Sequence, residues 1–165
     1  MTANLPQTKT LTAFTLVELL VVVSISAIFL TLGFSAYRKT QERQTLHNAA
    51  KKTETILRSI QKKAVVGDRD CDGTFHHYDV KILANNNQIT SQAICKNSNG
   101  IIKTFTIPGI IFTNGCDLIF KPLHGGFNLV NPQQTSFDIQ LTLQENQNLT
   151  ATIHLAQPGT IVTNL

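Results

Sequence analysis

A chain of 165 residues, 42% hydrophobic and 15% charged, has material for one modest core, which excludes a pair of large domains. Its second half, rich in Asn, Gln and Thr, lacks the charge density of a disordered tail. The net charge of +4 is uneven: residues 38–63 hold eight Lys or Arg against Glu42 and Glu54, whereas from Val65 onward five basic residues face seven acids, so a pI of 9.1 is no general argument for a nucleic-acid partner.

In chain order, residues 1–13 form a short polar arm whose only charged side chain is Lys9. Residues 14–37 follow as an apolar run interrupted by one charge, Glu18. As a helix, these roughly 24 residues rise about 36 Å, against a hydrocarbon core of about 30 Å, which predicts a membrane-spanning segment. A secretory signal peptide has its basic residues first and a small-residue cleavage site after a shorter apolar run. Here the small residue, Ala13, stands before the run.

Glu18 needs a cationic partner, because an ionised carboxylate within a membrane helix costs about 2.5 to 3.5 kcal/mol on insertion scales. A cut between Ala13 and Phe14 supplies one. The new α-amino group lies one helical turn before Glu18, and the same amine on a neighbouring subunit meets it in the apolar core of an assembly.

The run Ala13-Phe14-Thr15-Leu16-Val17-Glu18-Leu19-Leu20-Val21-Val22 resembles the prepilin cleavage and methylation motif: a small residue, Phe-Thr-Leu-Val/Ile-Glu, then apolar residues. The family usually has Gly where Ala13 stands. The resemblance implies a type IV pilin-like or pseudopilin precursor, cleaved before Phe14 by a prepilin peptidase and N-methylated on that residue. It also implies subunit contacts through Glu18, with other pilin or pseudopilin subunits and an inner-membrane assembly platform as partners. The expected location is a single pass in a bacterial cell membrane with the head outside the cytoplasm, then an extracellular or periplasmic filament.

Beyond Tyr37, Leu46, Ala49 or Ala50, Thr53, Ile56 or Leu57, Ile60 and Ala64 recur at spacings of three and four with basic residues between them. Residues 38–66 contain no Pro or Gly, and Gly67-Asp68 forms a stop. The domain plan is therefore a leader at 1–13, a long helix at 14–66 (14–37 transmembrane, 38–66 amphipathic) and a β-rich head at 67–165. That plan is similar to the spine helix and head of type IV pilins. The fold class expected is α+β, the helix packed on a C-terminal antiparallel sheet or β-sandwich.

Strand patterns fill the remainder. Residues 137–143 and 149–155 alternate strictly about a polar turn, and residues 78–82 and 89–95 flank Asn85-Asn86-Asn87, so each pair predicts a hairpin. Further strands are expected near 101–107, 117–121 and 160–163. Phe120-Lys121-Pro122-Leu123-His124-Gly125-Gly126, the later hairpin, and Pro158-Gly159 before the last strand are similar to the GspH/FimT branch of minor pseudopilins. Some members of that branch bind DNA through basic C-terminal residues, but residues 159–165 contain no Lys or Arg, which leaves little phosphate attraction. The basic run at 38–63 is more simply a solvated and lipid-headgroup face.

Asp68-Arg69-Asp70-Cys71-Asp72-Gly73, with Asp79 closing the spacing, matches a calcium-loop pattern, making Asp68, Asp70, Asp72 and Asp79 candidate Ca²⁺ ligands. The alternative is an acidic helix-to-strand turn. Zinc at His76 and His77 is disfavoured, since adjacent residues of a strand point to opposite faces. Of three cysteines, Cys71 with Cys95 and Cys95 with Cys116 are both open as disulfides. No nucleophile motif or catalytic cluster is present, so a non-enzymatic filament subunit is expected, with no required cofactor. A DNA-uptake receptor at a pilus tip and a membrane-anchored extracellular binding module are the alternatives.

Overall fold

The structure, a computed structural model, describes residues 15–68, 71–122, 127–129, 135–156 and 159–164. Helix α1 runs Leu16–Val66, 51 residues. The strands among the described residues are β1 (Phe75–Ile82), β2 (Gln88–Cys95), β3 (Lys103–Thr106), β4 (Ile110–Phe112), β5 (Cys116–Phe120), β6 (Phe127–Leu129), β7 (Ser136–Leu143), β8 (Thr150–Ala156) and β9 (Thr160–Asn164). The chain divides into two compact units between Thr40 and Gln41.

In the first unit α1 is apolar and solvent-facing. Among the described residues its large hydrophobic side chains, Leu16 and Phe29 among them, are 48% to 79% exposed. Ser24 and Ser26 donate back to the carbonyls of Leu20 and Val22, at 2.8 and 2.7 Å, so their hydroxyls are satisfied within the helix.

The expectation that this part crosses a membrane is corrected. Among the described residues, no helix is long and apolar enough to cross a membrane. The apolar stretch of α1 is interrupted by Glu18, Ser24 and Ser26, polar groups that are costly in a hydrocarbon core.

The second unit is built on the remainder of α1. Leu46, Ala49, Ala50, Thr53, Leu57, Ile60 and Ala64 form its buried face, where the alanines allow close approach. The helix ends as the glycine dictates. Gly67 has φ +72°, its N–H donates to Ala64 O, and the Asp68 N–H donates to Lys63 O, which together close the last turn.

Two antiparallel sheets complete the unit. One has the order β3-β2-β1-β5-β6 and the other β4-β7-β8-β9. Period-2 alternation turns Val80, Ile82, Ile89, Leu118 and Phe120 of the first sheet into the core, and Phe112, Ile139, Leu141, Ile153, Leu155 and Ile161 of the second. Each fully buried side chain of this size stabilises the fold by roughly 1.5–3 kcal/mol relative to exposure. The sheets are joined where the β1–β2 turn meets β4: Asn85 N–H donates to Phe112 O at 2.7 Å, and Phe112 N–H to Asn86 O at 2.8 Å. Gly115 makes this junction possible, since a Cβ there would lie 2.7 Å from Ile82 O and 2.9 Å from Ala84 N.

The C-terminal strand β9 is an edge of its sheet, and side chains of α1 cover that edge. Arg58 Nη2 donates to Ile161 O at 2.7 Å and Gln61 Nε2 to Gly159 O at 3.2 Å. The Thr163 hydroxyl donates to Glu54 Oε2 at 2.8 Å. The Arg58 bond occupies a backbone carbonyl of β9 that an open edge would offer to another chain.

Candidate functional site

Ala13 and Phe14, the expected processing site, lie outside the described residues, as does Asp70. Glu18 lies in the first turn of α1. Its Oε2 accepts from the Thr15 N–H at 3.1 Å and from the Thr15 hydroxyl at 3.0 Å, while the Glu18 N–H donates to Thr15 Oγ1 at 3.3 Å. This reciprocal arrangement is a capping box, which satisfies helix-end donors that have no partner within the helix. Glu18 therefore has a local role that the expected intersubunit contact does not require. The signal was in the chain: Thr15-x-x-Glu18 ahead of an apolar run is the sequence form of that cap.

The acidic loop leaves α1 at Gly67 and is tied down at several points. The Tyr78 hydroxyl donates to Asp68 O at 2.8 Å, and the Asp68 carboxylate lies 3.9 Å from Lys63 Nζ. Asp72 exchanges two bonds with one hydroxyl: its N–H donates to Ser98 Oγ at 3.0 Å, and Ser98 donates to its carbonyl at 3.2 Å. Asp79 stands on β1, with Oδ1 3.1 Å from His77 Nε2. Among the described residues, no three His, Cys, Asp or Glu side chains stand together, as placed, in a group that could hold a metal ion.

Cys71 is bonded to Cys95, with 6.2 Å between their Cα atoms, joining the loop to the end of β2. A Cys95–Cys116 bond is ruled out by the sheet. β1 lies between β2 and β5, and Cys95 pairs with its first residue, Phe75, while Cys116 pairs with its last, Ile82. Two strand spacings of about 4.8 Å, combined with the length of β1, far exceed disulfide reach. Cys116 is a free thiol, pushed up to about 12 by burial and, secondarily, by the Asp117 charge.

The basic run of α1 is partly neutralised by one carboxylate. Glu54, itself buried, binds Arg58 Nε at 2.9 Å through Oε1 and Lys51 Nζ at 3.1 Å through Oε2, the oxygen that also accepts from Thr163. Burial pushes this carboxyl up, but the hydrogen bonds from Thr163, Arg58 and Lys51 and the Lys51 charge outweigh it, holding the group below its ordinary 4.5.

Comparison with protein-family models, with curated proteins and with solved structures finds no match for this chain.

Proposed function

We propose that the chain is a minor pilin or pseudopilin, a structural subunit of a filament of the type IV pilus or type II secretion kind. A prepilin peptidase cuts between Ala13 and Phe14, Phe14 is methylated, and the subunit assembles through the first part of α1. The subunit acts by packing, not by catalysis.

The observation that carries the reading is where the motif falls. Ala13-Phe14-Thr15-Leu16-Val17-Glu18 leads directly into a helix of 51 residues whose large apolar side chains from Leu16 to Leu30, with Phe34 and Tyr37, are exposed. Such a surface is stable in water only when covered, and burial against the same helix of other subunits stabilises by roughly 25 cal/mol per Å² of apolar area. The Cys71–Cys95 bond supports a head that matures outside the cytoplasm, where disulfides persist.

N-terminal sequencing of the chain recovered from filaments tests the cut: the reading expects N-methylated Phe14, and a chain beginning at Met1 refutes it. Glu18 is tested by two substitutions that separate its roles. Glu18→Gln keeps an acceptor for the helix cap but removes the charge, and Glu18→Ala removes both. Both variants should fail to enter filaments. Normal incorporation of Glu18→Gln would reduce Glu18 to a helix cap and overturn the charge pairing.

A further inference from the structure

β3 ends the five-stranded sheet as β9 ends the other, and the two edges are treated differently. Side chains of α1 bind at β9, whereas β3 pairs, among the described residues, with β2 alone. The alternation of an antiparallel ladder says which backbone groups of β3 are left over. Ile107 N–H donates to Asn87 O at 2.9 Å, and the register carries Phe105 with Ile89 and Lys103 with Ser91 in the same phase. Thr104 and Thr106, out of phase with these, turn their N–H and C=O away from β2, toward the open side. Just ahead of them Ile101 and Ile102 are 76% and 58% exposed, an apolar pair beside an open backbone edge.

We propose that the open side of β3 pairs antiparallel with β3 of a second copy of this chain, about a two-fold axis at Thr104. Residues whose backbone groups face outward must meet residues that do the same, so only every second register is allowed. With the axis at Thr104, that residue exchanges both backbone bonds with its own counterpart, and Ile102 comes opposite Thr106. Lys103 then lies opposite Phe105, the half-buried aromatic of its own face, and Ile101 lies diagonal to the same ring.

The choice of occupant rests on charge and on one proline. The next allowed register in one direction sets Lys103 directly against Lys103, and like charges directly opposite destabilise. The next in the other direction brings Pro108, which has no N–H to donate, opposite Ile102. The register between them has neither fault, so residues 102–106 are complementary to themselves. An edge lysine ordinarily guards a strand against any neighbour; here it excludes one register and faces an aromatic ring in the other, an attractive arrangement. The paired stretch is short, which places the contact in the weak and transient class. It is isologous and closed, joining two heads and no more, and it does not rest on the filament reading.

The test uses the full-length chain, its Cys71–Cys95 bond intact, in detergent micelles that cover the apolar part of α1, with Cys116→Ala removing the free thiol. Cα atoms of a hydrogen-bonded antiparallel pair stand about 5.5 Å apart, within disulfide reach. Thr104→Cys should therefore give a disulfide-linked dimer under mild oxidation. Thr106→Cys should not, because its two copies lie four residues apart along the paired strands, about 14 Å. Without an added cysteine, sedimentation at about 0.3 mM should show a monomer–dimer equilibrium. Thr104→Pro should abolish it, since the ring removes an outward N–H that β2 does not use; far-UV circular dichroism should show the head still folded. The proposal is overturned if Thr104→Cys gives no linked dimer, if Thr106→Cys links as readily, or if Thr104→Pro associates like the parent chain. A chain that stays monomeric leaves the edge to a different partner and overturns it as well.

Discussion

Replacing Glu54 by Ala should loosen the last strand from the helix. Its carboxylate accepts from Thr163 of β9 and from Lys51 and Arg58 of α1. The Thr163 bond is charge-assisted, and such bonds contribute about 1.5–3 kcal/mol. The two ion pairs add less, since the Lys51 and Arg58 side chains are 58% and 53% exposed and pairs of that kind are worth about 0–1 kcal/mol. A loss of about 2–4 kcal/mol is expected for Glu54→Ala, and about 1–2 kcal/mol for Thr163→Val, which keeps shape and β propensity.

Because the two residues share a bond, Glu54→Ala/Thr163→Val should be less destabilised than the sum of the single variants, by about 1–2 kcal/mol. Urea unfolding followed by circular dichroism reads all four corners of the cycle. The pH dependence has a fixed sign: a carboxyl held below its ordinary 4.5 in the folded chain contributes stability present above that value and lost as pH falls through the lower, folded one. The gap between wild type and Glu54→Ala should therefore hold at neutral pH and narrow only in acid. Coupling below about 0.3 kcal/mol, or a gap that persists undiminished in strong acid, refutes the assignment.

Gly115→Ala places a Cβ against two backbone atoms that cannot yield like a side chain; a loss of about 1–3 kcal/mol is expected in the same urea experiment, and a neutral result would refute the close approach of Gly115 to the β1–β2 turn. Breaking the Cys71–Cys95 bond with serines, across a sequence separation of 24, should cost about 3.5 kcal/mol by the chain-entropy relation, seen as a lower melting temperature. Cys116, with its thiol raised to about 12, should resist a thiol reagent in the native chain at pH about 8 and react fully in denaturant; fast native labelling would contradict its burial.

Much of this architecture lay in local patterns. The end of α1 was written in Gly67, because a left-handed residue is needed there and only glycine adopts it without cost. The β7–β8 hairpin followed from strict alternation, which commits a whole strand face to the core. Strands β4 and β6, three residues each, escaped notice because so short a segment carries no measurable period. The apolar run at 14–37 predicted a membrane span from length alone; the described helix does not meet that length and apolarity together.

The amino-acid order by itself determined the helix with its stop signal, the alternation of the hairpins and the motif at Ala13-Phe14, since each depends on residues a few places apart. Only the tertiary structure decided which cysteines pair, because strand order put β1 between Cys95 and Cys116. Likewise, it alone decided that the β1–β2 register shifts between Phe75 and His77 and that Glu54 reaches Thr163, 109 residues away. Register, bulges and long-range contacts are settled when two segments meet, and no single segment encodes its partner's position.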